Sequence, residues 1–305
     1  MNRRKFIKDS TIASVGVTAG LMPYEALASG PELIILTVLH TNDQHSRIEP
    51  FPMDGSRNEG LGGAAKRAGL IKKVRDTQKH VLLLDSGDVF QGTPYFNFFG
   101  GELEYKLMSA MGYDAGTIGN HDFDAGIEGL EKQLVHTNFP LLISNYDFSD
   151  SCMAGKTKPY KIFKKGPLKI GVFGLGIELE GLVPKSLYKE TRYLEPVKKA
   201  NEVSQMLKGD YKCDYVICLS HLGYKYNDSK ISDVALAPLT NDIDLILGGH
   251  THTFLRSPET HINAAGKPVI INQVGWAGIM LGRLDIIFER NRKGKCVSCS
   301  NTLIK

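Results

Sequence analysis

The chain has 305 residues, 42% of them hydrophobic and 23% charged, proportions that suit one large folded core. The net charge of +4 falls partly on the first 28 residues; the remainder carries 33 basic and 31 acidic residues. That balance argues against a nucleic-acid polymer or a charged membrane surface as partner, and no later stretch of 18 consecutive apolar residues offers a membrane span.

The N-terminus reads as an export signal. Asn2 to Lys8 (NRRKFIK) is basic, Thr11 to Met22 is mildly apolar, and Ala26-Leu27-Ala28 is a small-x-small cleavage site. The paired Arg3-Arg4 and the weak apolar stretch point to a twin-arginine-type signal, whose cargo crosses already folded. Residues 1–28 are therefore expected to be removed. Residues 29–305 are expected to form one domain in the periplasm or outside the cell, since no linker-like stretch divides them. The five cysteines, an odd number at irregular spacings, do not read as a disulfide framework. Cys213 and Cys218 fall at or in an apolar run and are expected in the core, whereas Cys296 and Cys299 lie in a polar C-terminal tail.

From Leu33 onward, short apolar runs alternate with amphipathic segments. Strands are expected at Leu33–His40, Val81–Asp85, Ala115–Ile118, Leu141–Ser144, Lys169–Leu175, Tyr215–Ser220, Leu245–Leu247, Val269–Gln273 and Gly278–Phe288. Helices are expected at Ala64–Thr77, Glu102–Met111, Ile127–Val135, Val197–Leu207 and Ser229–Leu236. Continuous Val/Ile/Leu runs suit strands covered on both faces, and their alternation with helices gives a layered α/β fold with a largely parallel core. The strand–turn–strand pattern from Val269 adds antiparallel pairing at one end. Aromatic-rich Phe90–Phe99 is expected to be a loop packed on the core, with a partner surface or substrate wall as the other reading.

The chemistry gathers where these strands end. The first ends in His40-Thr41-Asn42-Asp43-Gln44-His45, the second in Asp85-Ser86-Gly87-Asp88, and the third runs into Gly119-Asn120-His121-Asp122-Phe123-Asp124. Later strands end in Ser220-His221 and in Gly248-Gly249-His250-Thr251-His252. Ligands of open α/β sheets collect beyond the carboxyl ends of strands. Carboxylate, amide oxygen and neutral imidazole are ligand types for Zn²⁺, Mn²⁺ or Fe²⁺, and an Asp at a Gly-Asp turn can bridge two ions. Any one of these fragments is weak evidence. Five of them in order, all at strand ends, specify a two-metal site. His40, His80, His136 and His261 lack such company and read as ordinary residues.

The ordered set D-x-H, G-D, G-N-H-D, a lone His and G-H-x-H resembles the calcineurin-like metallophosphoesterase superfamily. Thr41–His45, Gly87–Thr93 and Gly119–Asp124 are similar, more narrowly, to the 5′-nucleotidase and UDP-sugar hydrolase family. The resemblance covers residues 33 to about 290. It implies a four-layer α/β/β/α sandwich of two mixed sheets flanked by helices, with the metal site at the strand C-terminal ends. It implies Asp43, His45 and His252 around one divalent ion and Asn120, His221 and His250 around another, with Asp88 between them. It further implies a catalytic dyad of His121 and Asp124, Asp122 beside it having no catalytic role. The ions would be Zn, Mn, Fe or Co.

The activity implied is hydrolysis of nucleotide phosphate esters by metal-activated water. Alternatives are a thiosulfohydrolase-like enzyme, a broad-specificity or cyclic phosphodiesterase, or a metal- or partner-binding module without turnover. Many members of the family continue into a second, substrate-binding domain. Because the sequence stops at Lys305, that domain is expected to be absent or to come from a separate polypeptide.

Overall fold

The computed structural model describes residues 33–289 and 295–305. The export signal expected at residues 1–28 lies outside the described residues. The strands in chain order are β1 (Leu33–Thr41), β2 (Val81–Asp85), β3 (Ala115–Gly116), β4 (Tyr146–Asp147), β5 (Tyr160–Lys165), β6 (Leu168–Leu175) and β7 (Arg192–Tyr193). They continue with β8 (Tyr215–Ser220), β9 (Leu245–Gly248), β10 (Glu259–Ile262), β11 (Pro268–Asn272), β12 (Met280–Glu289) and β13 (Lys295–Leu303). The helices are α1 (Ala64–Thr77), α2 (Pro94–Phe99), α3 (Glu102–Met111), α4 (Gly126–Gln133), α5 (Lys185–Tyr188), α6 (Pro196–Gly209) and α7 (Asp233–Leu236).

Two mixed sheets carry the fold, in the orders β13-β12-β1-β2-β3 and β10-β11-β9-β8-β6-β5. β1 runs parallel to β2 (Thr37 opposite Val81) and antiparallel to β12 (Leu36 opposite Ile286). In the second sheet β6, β8, β9 and β11 are mutually parallel, with antiparallel β5 and β10 at the edges.

Side chains alternate across each strand, and the alternation separates the layers. Leu36, Val38, Leu82, Leu84, Leu284 and Ile286 of the first sheet meet Ile170, Val172, Ile217, Leu219, Leu245 and Leu247 of the second in one buried cluster. The opposite face of the first sheet (Leu39, Val81, Leu83) packs on Ile71 of α1, Tyr105 and Met108 of α3, and Ile127 and Leu130 of α4. The outer face of the second (Phe173, Leu175, Val216, Cys218, Ile246) packs on Ala200, Val203 and Leu207 of α6 and Leu236 of α7. The result is a four-layer α/β/β/α sandwich. Each fully buried Leu or Ile contributes about 2 kcal/mol of transfer free energy, and both faces of the central strands supply it. Glu195 starts α6 by accepting the amide N–H groups of Val197 and Lys198, with Pro196 in the first turn.

The structure departs from the sequence expectation in several places. Leu141–Ser144 is extended but belongs to no ladder, because its backbone bonds are shared between the sheets. Leu142 N–H donates to Gly116 of the first sheet, and Ser144 N–H donates to Gly174 of the second. The helix expected over Ser229–Leu236 forms only from Asp233, capped by Ser232. Phe90 is buried as expected, but Pro94–Phe99 is a short helix with no buried residue rather than a packed loop. The C-terminal tail is strand β13, and Cys299 is disulfide-bonded, although the cysteine spacings do not read as a disulfide framework. Cys213 and Cys218 are free and buried, as expected.

Where residues 141–144 cross between the sheets, β6 has no room for a side chain. A Cβ on Gly174 would lie 1.9 Å from the Leu142 carbonyl oxygen and 2.5 Å from Thr117 Oγ1. Gly174→Ala is therefore expected to lower the unfolding free energy by about 3 kcal/mol through overpacking against backbone, measured by urea denaturation. A loss within about 0.5 kcal/mol, the range of ordinary surface substitutions, would show that the crossing segment yields freely.

Candidate metal centre

Strand ends from both sheets converge on one polar centre. From the first sheet come Asp43 and His45 after β1, Asp88 after β2, and Asn120 and His121 after β3. From the second come His221 after β8, and His250 and His252 after β9. They assemble into two groups, Asp43 with His45 and His252, and Asp88 with His221 and His250, the ligand atoms in each lying within 4.8 Å of one another. Asn120 Oδ1 stands 2.8 Å from His250 Nδ1 and so joins the second group. Asp88 Oδ2 is 3.0 Å from His221 Nε2 and 3.9 Å from His45 Nε2, which puts this carboxylate between the groups. His121 and Asp124 lie beside them, His121 Nδ1 at 2.9 Å from Asp124 Oδ2. All nine residues expected from the sequence are brought together.

The backbone makes this convergence possible at a cost. Asp43, His45, Asp88, His250 and His252 all have left-handed φ angles between 49° and 71°. For residues other than glycine that conformation costs on the order of 1 kcal/mol each and persists only where surrounding contacts enforce it. Here the enforcing contacts are visible. Asp43 N–H donates to Gly87 O, and His45 N–H donates to Asp88 O. His250 N–H donates to the Asp43 carboxylate at 2.9 and 3.0 Å, tying the second sheet's loop to the first's. Gly119 permits the close approach of the third loop, since a Cβ there would meet Asp88 Oδ1 at 2.2 Å.

Three residues that sequence reasoning gave no role in the centre hold these loops. Asp122 accepts the backbone N–H groups of Gly119, Asp88, Val89 and Phe90 at 2.8 to 3.2 Å, lacing the Gly87-Asp88 loop to the Gly119-Asn120-His121 loop. Burial, and then Asp88, pushes its carboxyl up to about 7 against the pull of those amides. Asn42 donates to Asp43 Oδ2 and to Gly275 O, both at 2.6 Å. Gln273 donates to Gly249 O and accepts from Thr251 and Thr253. The only signal for Asp122 and Asn42 was adjacency to a motif; nothing in the sequence marked Gln273.

The nitrogen inventory fits a pair of cations. His221 Nδ1 faces Ser86 O at 2.7 Å and His45 Nδ1 faces Phe90 O at 3.3 Å. A carbonyl can only accept, so both rings carry their proton on Nδ1 and aim the Nε2 lone pair into the centre. His221 Nε2 is buried and has no hydrogen-bond partner, although Asp88 Oδ2 is 3.0 Å away. His45 Nε2 and His252 Nε2 approach to 2.9 Å, a separation that needs a proton or a cation between them. Burial lowers the His45 pKa, and burial followed by His221 lowers that of His250 to about 4, so both rings are neutral at pH 7, as metal ligands would have to be. Burial alone would raise Asp88, but His221, His45 and His121 hold it well below the usual carboxylate range. His121 is raised, mainly by its hydrogen bond to Asp124.

Comparison with known proteins gives a consistent picture. A family model for calcineurin-like phosphoesterases matches residues 36–254. Snake venom 5′-nucleotidase of Gloydius brevicauda is 35% identical over 292 residues, covering 88% of this chain and 47% of that protein. NAD 5′-nucleotidase of Haemophilus influenzae is 31% identical over 304 residues, covering 91% and 49%. The crystal structure of a 5′-nucleotidase precursor from Thermus thermophilus superposes with a TM-score of 0.79 at 30% identity, over 88% of this chain and 54% of that one. The chain spans about half the length of the curated relatives it matches.

Asp122 offers a test of how the centre is held. In Asp122→Asn one acceptor oxygen becomes a donor facing backbone N–H groups. The expected loss of unfolding free energy is about 3 kcal/mol, the cost of leaving buried donors unpaired. It should appear as a lower urea midpoint together with lower metal content by elemental analysis. Unchanged values for both would remove Asp122 from the support of the centre.

Proposed function

The chain belongs to the calcineurin-like phosphoesterase family, metal-dependent hydrolases of phosphoric esters, and from that membership we propose an exported, two-metal 5′-nucleotidase-like enzyme. The observation that carries the reading is Asp88, a carboxylate placed between two separate ligand groups with the His121–Asp124 pair alongside. Asp43, His45 and His252 would hold one divalent cation, and Asn120, His221 and His250 the other, with Asp88 shared. The relatives' names support nucleotide phosphate esters as substrates. Two features support export: the basic, paired-arginine N-terminus, and a disulfide at Cys299, a bond that persists in oxidising compartments. Among the described residues no helix is long and apolar enough to cross a membrane. Residues 29–305 would carry the catalytic groups of the mature protein.

Bound cations would polarise the phosphate oxygens and lower the pKa of an attacking water. The chain's own residues do the rest. Asp43 and Asp88 fix negative charge where cations must sit, and His45 and His221 present Nε2 lone pairs whose direction is set by backbone carbonyls. His121, its Nδ1 engaged by Asp124, keeps Nε2 for a substrate oxygen. Raised by Asp124, it can carry the proton that stabilises charge on that oxygen or passes to the leaving group.

The purified chain should release phosphate from a panel of 5′-AMP, UDP-glucose, 2′,3′-cyclic AMP and p-nitrophenyl phosphate with Mn²⁺ or Zn²⁺ added. Turnover of 5′-AMP supports the nucleotidase reading. Turnover of the aryl ester alone keeps the chemistry and assigns nucleotide selection elsewhere. Two bound metals with no turnover of any ester would leave a binding module. Within the enzyme, His121→Ala should cut kcat by about 10²–10⁴-fold with both metals retained, whereas Asp88→Ala should lose metal. Normal turnover in the His121 variant would remove the dyad.

A further inference from the structure

Trp276 is the only tryptophan in the chain and belongs to none of the motifs. Its indole lies flat on the His252 imidazole, with ring centroids 5.7 Å apart and planes 11° from parallel. Phe51 meets the indole edge-on at 5.8 Å, and the Arg47 guanidinium sits 4.4 Å above the Phe51 ring. A stack of four side chains thus runs from the segment after β1 to one ligand group of the centre.

The turn that presents the indole is held rigidly. Gly275, Ala277 and Gly278 around it all have left-handed backbone, with φ of 76°, 56° and 60°. Gly275 O accepts from Asn42 Nδ2 at 2.6 Å, and Ala277 N–H donates to Asp43 O at 2.7 Å. The indole is therefore fastened to the same strand end that carries Asp43, a companion of His252 in its group.

His252 needs such support more than its neighbours do. His45 and His221 have Nδ1 pinned by backbone carbonyls. The hydrogen bond of His252 among the described residues is through Nε2, to His45, which leaves its Nδ1 side unpinned. Its side chain is also 39% exposed, whereas that of Asp43 is fully buried. An imidazole ligand whose outer nitrogen is not held loses its orientation unless something else fixes the ring plane.

We propose that Trp276 is a positioning residue for metal binding at the Asp43–His45–His252 group, acting by fixing the ring plane of His252. This rests on the two-metal reading above. Stacking replaces here the hydrogen bond that orients His45 and His221, and Phe51 and Arg47 hold the indole from behind.

Co²⁺ titration of the full chain by calorimetry, with metal content by elemental analysis, tests this in wild type and in Trp276→Phe, Trp276→Leu and Trp276→Ala. Trp276→Ala and Trp276→Leu should weaken one of two Co²⁺ sites by about tenfold or more, the scale for loss of a ligand-orienting contact, and leave the other unchanged. Trp276→Phe, which keeps a flat ring, should restore most of that affinity. In wild type the single indole's fluorescence should be quenched in step with filling of the same site. Equal Co²⁺ affinities in the Leu and Phe variants would overturn the proposal, because a space-filling role does not distinguish them; this comparison stands even if Trp276→Ala fails to fold. Two Co²⁺ bound to wild type without any quenching would overturn it too. A wild-type chain that takes up no Co²⁺ would overturn the two-metal reading itself, and this role with it.

Discussion

A carboxylate buried to 1% exposure, as Asp88 is, must be matched by positive charge or it costs several kcal/mol. Its partners come from both halves of the sandwich: the His121 N–H, after β3 of the first sheet, donates to Asp88 Oδ1 at 2.8 Å, and the His221 ring, after β8 of the second, stands 3.0 Å from Oδ2. Neither sheet can satisfy Asp88 alone, so the two must bring their carboxyl ends to the same place. The apolar layer between them, built from Leu82, Leu84, Ile217, Leu219 and Leu247, sets that distance. A divalent cation would supply that positive charge, which couples metal uptake to the integrity of the site.

The strained backbone follows from the same demand. β1 ends at Thr41, so Asp43 and His45 must both reach the centre from the tight turn that follows it. Left-handed φ at both residues turns the chain so that they do. Strain of that kind survives where the flanking elements are rigid, and β1 is rigid because it is hydrogen-bonded on both edges and packed on both faces. Asp122 performs the equivalent service for the loops after β2 and β3 by collecting four N–H groups that have no ladder to join.

How much of this was readable from residues alone depends on burial. β1, β2, β8 and β9 were legible because both faces are covered, which demands unbroken apolar runs such as VLLLD and YVICLS. β5 (YKIFKK) and β10 (ETHI) were not, since edge strands with an exposed face carry polar residues and no run. The strand expected at Leu141–Ser144 had the composition of a buried strand and is buried. What the composition could not reveal is that its backbone bonds are divided between two sheets. The candidate ligands were legible because chemistry restricts them to Asp, Asn and His, and topology places them after strands. Asp122 and Gln273 were not, because accepting a backbone N–H or bracing a carbonyl leaves no residue pattern. Trp276 was missed for a related reason: its partner, His252, lies 24 residues earlier in the chain, and only the fold sets them face to face.

The exposure of these residues also orders the centre from inside to outside. Asp43, Asp88 and His221 are sealed from solvent. His121 and His252 each keep 39% of their side-chain surface open to solvent. A substrate can approach only from that open side, so it meets His121, held by Asp124, and the edge of the His252–Trp276 stack before anything else. His121 would touch substrate without holding a cation, whereas the sealed Asp43, Asp88 and His221 would hold cations out of its reach. Burial fixes the inner groups in place, and exposure leaves His121 within reach of a substrate. That separation lets one set be rigid while the other remains accessible.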